Sequence, residues 1–173
     1  GFYTMIYFFD TETTGLPANY NDPTQPNMPR IVQYAGIMTT EEGRIVRTYS
    51  AIVKVTEPIP ENVSRVHGIV SDFSLIVGIP LHVIIHQHVS SLGDCKLQVG
   101  HNISFDQLMI ASEVHRMQYV YPQSISNPPS FCTMKSSTDL VKIPNGKGGY
   151  KWPKLQELHK FLFGCEFLGA HDA

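Results

Sequence analysis

Charge is scarce in this chain: 13 Lys and Arg stand against 15 Asp and Glu, 16% of 173 residues, for a formal net charge of −2. No global basic field draws in a polyanion, so any nucleic-acid contact has to be local, made by a metal and a few side chains. Cysteine is scarce too. Cys95, Cys132 and Cys165 are odd in number and widely spaced, which matches neither a disulfide framework nor a zinc motif and points to a reducing, cytoplasmic setting. Long apolar runs are lacking: the longest, Ile69 to Ile85, is broken by Ser71, Asp72, Gly78, Pro80 and His82, so no membrane partner is expected. No signal peptide and no internal repeat are recognisable. With 42% hydrophobic residues, the composition is that of a soluble globular chain able to bury one sizeable core. A single domain is expected over residues 5–173, with 1–4 a vector remnant or the stub of a longer chain.

What is present begins with Asp10-Thr-Glu12, at the end of the apolar run Met5-Ile-Tyr-Phe-Phe9. The run is short, aromatic and β-branched, and a Thr-Thr-Gly turn closes it, so it reads as a buried strand. Side chains two apart on a strand share a face, which brings Asp10 and Glu12 together. Two acceptor-only carboxylates this close do not both stay ionised cheaply without a cation. Oxygen pairs of this kind suit Mg²⁺ or Mn²⁺ and phosphoryl transfer. Taken alone, the tripeptide would more often describe a strand ending on a solvated turn.

Downstream, Leu16 to Arg30 is a loop rich in Pro, Asn and Asp. Ile31–Thr39 and Ile45–Val55 read as strands joined by the turn Glu41-Glu-Gly43, giving an antiparallel meander of the first three strands. Glu61–Val66 reads as a helical turn, Pro80–Leu92 as a helix, Lys96–Val99 as a buried strand and Ile103–Met117 as a helix. Phe131–Thr133 reads as an edge strand, followed by helices at Met134–Val141 and Lys154–Phe163, the last ending on Gly164. His82, His86 and His88 fall in one helix without a third ligand, and read as surface or internally satisfied. A meander followed by alternating helices and strands is a mixed-sheet α/β fold.

Two further stretches carry chemistry. In Val99-Gly-His-Asn-Ile-Ser-Phe-Asp106 a strand ends at Gly100 and a helix opens near Asn102. Asp106 then points back over the carboxyl end of the sheet, where α/β sites collect. Asn102 is expected to cap the new helix through its side chain, and Phe105 is either core or a flat surface for a sugar or base. At the far end, Gly169-Ala-His171-Asp172-Ala173 offers a histidine, the natural general base for water beside a metal site.

Asp10-Thr-Glu12-Thr-Thr-Gly15, His101-Asn-Ile-Ser-Phe-Asp106 and Ala170-His171-Asp-Ala173 resemble, in order and spacing, the three motifs of the DEDDh exonucleases. The likeness is strongest to the DnaQ-like group, which includes the proofreading epsilon subunits of bacterial replicative DNA polymerases. Arg30-Ile-Val-Gln33, Val66-His67-Gly68-Ile69 and Lys154-Leu-Gln-Glu-Leu158 agree with it. The resemblance implies an RNase H-like mixed central sheet flanked by helices, and two divalent ions, Mg²⁺ or Mn²⁺. It further implies 3′→5′ hydrolysis of a single-stranded DNA end to nucleoside 5′-monophosphates, in proofreading or repair, with a DNA polymerase as a candidate partner. Asp10, Glu12 and Asp106 would hold the metals and His171 would deprotonate water. Thr13, Thr14, Gly15 and Leu16 would receive the terminal nucleotide, and Asn102 and Phe105 would shape its pocket. RNA 3′-end trimming, as in RNase T-like or oligoribonuclease-like members, remains open, as does a non-catalytic nucleic-acid-binding or polymerase-docking module. The aspartate that closes the third motif in the family falls past Ala173. Asp172, about 6 Å short along a helix axis, is no substitute. The chain is therefore expected to be truncated within that motif, with weakened metal binding.

Overall fold

A computed structural model describes residues 4–122 and 127–168. Its centre is a five-stranded sheet in the order β3-β2-β1-β4-β5. Strand β1 (Met5–Thr13) pairs antiparallel with β2 (Ile31–Thr40), which pairs antiparallel with β3 (Ile45–Ile52). On the other side, β4 (Leu97–Gly100) runs parallel to β1, and the short β5 (Ser130–Cys132) runs parallel to β4. The mixed sheet and the antiparallel first three strands are those expected.

The helices are α1 (Glu61–His67), α2 (Ser71–Val77), α3 (Leu81–Asp94), α4 (Ile103–Arg116), α5 (Thr133–Ser136), α6 (Thr138–Val141) and α7 (Leu155–Phe163). One apolar cluster unites Tyr7 and Phe9 of β1, Ile31 and Tyr34 of β2, Ile84 and Ile85 of α3, and Met109 and Ile110 of α4. Each fully buried aliphatic side chain of this set contributes on the order of 2 kcal/mol of transfer free energy. Because α3 and α4 cover the face of β1 that carries Tyr7, Phe9, Thr11 and Thr13, the alternation leaves Phe8 and Asp10 exposed on the other face.

Two details depart from the sequence reading, and the helix histidines agree with it. Helix α2 was not expected, since Val70 to Val77 is apolar without a clear period. Ser74 anchors it: its hydroxyl donates to the Val53 carbonyl at 2.8 Å and accepts the Val55 N–H at 3.0 Å. The helix expected over Met134–Val141 divides at Ser137, whose hydroxyl donates to the Thr133 carbonyl at 2.6 Å. Of the three helix histidines, His82 and His86 are exposed, while His88 is buried with Nδ1 2.9 Å from the Tyr34 hydroxyl. Burial lowers the His88 pKa from 6.5 to about 4, so it serves the core as a neutral ring.

No helix among the described residues is long and apolar enough to cross a membrane.

Candidate active site

Strand β1 runs beyond its apolar segment through Asp10 and Glu12, so the pair stands within the strand rather than after it. The pairing partner on one side stops early: β4 matches β1 only at Ile6, Tyr7 and Phe8. Past Phe8 the edge of β1 is taken over by Asp106, from the first turn of α4. Asp106 Oδ1 accepts the Thr11 N–H at 3.0 Å and the Thr11 hydroxyl at 2.7 Å. A carboxylate thus stands where a neighbouring strand would have offered a carbonyl, which fixes it against the residue between Asp10 and Glu12.

Asp106 is only 2% exposed. Burial raises its pKa well above the ordinary carboxylate range, the charge of Asp10 raises it further, and the Thr11 donors pull the other way. A buried carboxylate repelled by an exposed one beside it is relieved by a proton or by a cation. The donors are all oxygens, the set that hard divalent ions such as Mg²⁺ and Mn²⁺ take. The donor chemistry therefore fits such ions. Among the described residues no three His, Cys, Asp or Glu side chains are already drawn into one closed cage.

Asp10, Thr11 and Glu12 line a cleft of about 560 Å³, together with His101, Asn102 and the segment Trp152–Gln156. His101 is fixed on both nitrogens. Its Nε2 donates to the Pro153 carbonyl at 2.8 Å, and its Nδ1 lies 3.0 Å from the Thr133 hydroxyl. Burial lowers its pKa, partly offset by the Pro153 bond. The ring is accordingly a strut between the β4–α4 turn and the chain entering α7.

Asn102 does not cap α4 in the way expected. It adopts the left-handed conformation (φ 65°, ψ 41°), makes no side-chain cap bond, and its carbonyl accepts the Phe105 N–H at 2.9 Å. Asparagine tolerates this conformation better than most residues, and here the sharp entry into α4 takes precedence over the side-chain cap. Phe105 is half-buried against the core, its ring 6.5 Å from that of Tyr20.

The turn after Glu12 is held from below. The β1–β2 register shifts between Glu12 and Thr13, a bulge that re-aims the strand end. The Thr13 hydroxyl donates to the Gly15 carbonyl at 2.7 Å. Thr14 and Arg30 clamp each other, the Thr14 N–H on the Arg30 carbonyl at 2.9 Å and the Arg30 N–H on the Thr14 hydroxyl at 2.8 Å. A Cβ on Gly15 would meet nothing within 4 Å, and Leu16 is 75% exposed, so the tip of the turn is open.

Glu113 is a residue that sequence reading missed. Fully buried, it accepts from Arg30 Nε at 3.0 Å, the Ile31 N–H at 3.1 Å and Arg116 Nη1 at 2.5 Å. Its signal was available: it follows Asp106 by two helical turns and so lies on the same buried face of α4. His171 lies outside the described residues. Of the other expected site residues, Asp10, Glu12 and Asn102 share the cleft and Asp106 abuts it through Thr11, whereas Thr14, Gly15 and Leu16, which follow the end of β1, line a separate cleft with Arg30 and Tyr119.

The family model of exonucleases, of RNase T type, matches residues 7–173. The chain belongs to the exonuclease family. Within this DnaQ-like family, uncharacterized exonuclease CP81 of Escherichia phage 186 is 26% identical over 181 residues, covering 96% of this chain and 86% of that protein. Among solved structures, E. coli Exonuclease I in complex with a dT13 oligonucleotide superimposes with a TM-score of 0.73 at 19% identity, over 98% of this chain and 38% of that one. The zinc-bound Exonuclease I–ssDNA complex gives 0.74 at 19% identity, over 98% of this chain and 37% of that one. Exonuclease I of Methylocaldum szegediense gives 0.63 at 19% identity, over 87% and 32%. These likenesses show the fold, the RNase H-like sheet of exonucleases. The chain spans well under half the length of the Exonuclease I chains it matches. Its family is one of nucleases, and divalent metal ions are that family's general cofactor.

Proposed function

We propose that residues 5–173 form a single exonuclease domain, that of a protein that trims single-stranded DNA from the 3′ end, releasing nucleoside 5′-monophosphates. The observation that carries the reading is the approach of Asp106 to the β1 edge between Asp10 and Glu12, beside an open cleft. The oligonucleotide complexes of Exonuclease I, which share the fold, support a single-stranded DNA substrate.

Asp10, Glu12 and Asp106 would hold two divalent ions, Mg²⁺ or Mn²⁺. Bound there, the ions supply electrostatic stabilisation of the attacking and leaving oxygens of the phosphodiester. Every other task falls to the chain. The Thr11 donors keep Asp106 in place although its burial and Asp10 oppose its charge. The Thr13–Leu16 turn would receive the 3′-terminal nucleotide: its backbone is immobilised through Arg30, which leaves exposed Leu16 to press against the base. Asn102 and Phe105 would bound the sugar side. His171 would take the proton from the attacking water. A rigid turn and a fixed carboxylate lower the entropy cost of bringing a 3′ end into line.

The test is a time course on a 5′-labelled single-stranded oligonucleotide with Mg²⁺ or Mn²⁺, beside the Asp10→Ala variant and an EDTA control. A ladder shortening from the 3′ end, absent in both controls, supports the reading. An oligonucleotide that binds and stays intact contradicts it.

A further inference from the structure

One side chain in the cleft has an exposure that the fold does not account for. Trp152 is the only tryptophan of the chain, yet it is 61% exposed and lines the same cleft as Asp10 and Glu12. Its backbone, by contrast, is tied down on both sides. The Lys151 N–H donates to the Ile143 carbonyl at 2.9 Å, and Lys151 Nζ reaches both Glu157 oxygens at 2.7 and 2.8 Å. Pro153, next along, is fully buried and carries the carbonyl that His101 grips. The Lys154 N–H closes the segment on Glu157 Oε2 at 2.7 Å. A rigid backbone thus presents a largely bare indole, with the exposed cation Lys154 two residues on along the same cleft wall.

An aromatic face beside a cation is the arrangement that holds single strands without regard to sequence, because every base offers a π-face and every linkage a phosphate. It also answers the charge problem of this chain. With a net charge of −2 no extended basic groove is on hand, so affinity for a strand has to come from a few local contacts.

We propose that Trp152 stacks on a base of the single-stranded substrate while Lys154 contacts its backbone, with the His101–Pro153 bond as the strut that keeps both on the cleft wall. This rests on the reading of the cleft as an exonuclease site for single strands. Trp152 then sets preference for unpaired over duplex ends, since a base is free to stack on it only when it has no partner strand.

Because Trp152 is the sole tryptophan, the fluorescence of the unmodified protein reports on it directly. The probe is a phosphorothioate oligothymidylate of about twelve residues, within the span of common single-strand sites, set against a sugar-phosphate oligomer of equal length without bases. Saturable quenching by the first and none by the second is the expected result. On the cleavable oligonucleotide, Trp152→Ala should raise KM about tenfold, the scale of one base–aromatic stack, with kcat within about twofold. Trp152→Phe should restore most of the KM. Lys154→Gln should flatten the salt dependence of binding by about one unit of slope. An enzyme that makes the 3′ ladder with unquenched tryptophan, and a Trp152→Ala variant with unchanged KM, would overturn the inference while leaving the exonuclease reading intact. Equal loss of melting temperature in the Ala and Phe variants would make the indole structural, and overturn it too. A protein that neither binds nor degrades the oligonucleotide would remove the exonuclease reading itself.

Discussion

Glu113 is the side chain whose loss the structure should feel most. It is fully buried, 18% of the Arg30 side chain is exposed, and the Ile31 N–H has the Glu113 carboxylate as its acceptor. Glu113→Gln keeps the shape and an acceptor but removes the charge, leaving Arg30 and Arg116 facing a neutral amide. Breaking a buried pair from one side costs about 3–5 kcal/mol. That exceeds by several-fold the roughly 0–1 kcal/mol of an exposed pair such as Arg47–Asp94, with side chains 39% and 57% exposed. For a domain of this size it corresponds to a fall in Tm on the order of 10 °C. Urea unfolding of the wild type, Glu113→Gln, Arg30→Met and the double variant measures it and separates the pair from its neighbours. The single Gln variant should be the less stable, with the Met background recovering part of the loss. A Glu113→Gln cost under about 1 kcal/mol, additive with Arg30→Met, would refute the reasoning.

Three further outcomes are expected. His88 has its pKa lowered from 6.5 to about 4 by burial, so the unfolded chain binds its proton first; stability is complete above pH 6.5 and falls by about 3 kcal/mol on the way to pH 4. The urea midpoint of His88→Gln should lose much of that slope, and an unchanged slope would contradict the assignment. A Cβ at residue 36 would lie 2.6 Å from the Tyr7 hydroxyl, so Gly36→Ala should cost about 1–3 kcal/mol as overpacking, read as a lower Tm; a neutral substitution would show that the Tyr7 ring moves aside freely. Asp106→Asn removes the repulsion from Asp10 and should raise Tm in EDTA while abolishing the stabilisation that Mn²⁺ gives the wild type; a variant still stabilised by Mn²⁺ would place the ion elsewhere.

Much of the fold and site was legible because it is written in local patterns. The strand carrying Asp10 and Glu12 shows in its own apolar alternation, and Asp106 shows in the strand-turn-helix that contains it. What escaped was set at long range. The helical spacing from Asp106 places Glu113 on the buried face of α4, but its partner Arg30, 83 residues away, shows only in the fold. Trp152 carries no local signal of a site, and only the cleft reveals that it is bare. Helix α2 has no amphipathic period to announce it, since Phe73, Leu75 and Ile76 are exposed and buried Ser74 does the anchoring. Asn102 has the right identity for a cap, but the steep turn out of β4 imposes a left-handed backbone that forbids one.

The most direct measurement is the identity of the product and the end it comes from. Single-stranded oligonucleotides labelled at the 3′-terminal nucleotide would be incubated with Mg²⁺, with wild-type protein and with Asp10→Ala and Asp106→Asn. The predicted result is labelled nucleoside 5′-monophosphate released at the earliest times by the wild type, and none by either variant. Release of internal fragments first, or equal release by Asp106→Asn, would contradict a 3′-end exonuclease built on these carboxylates.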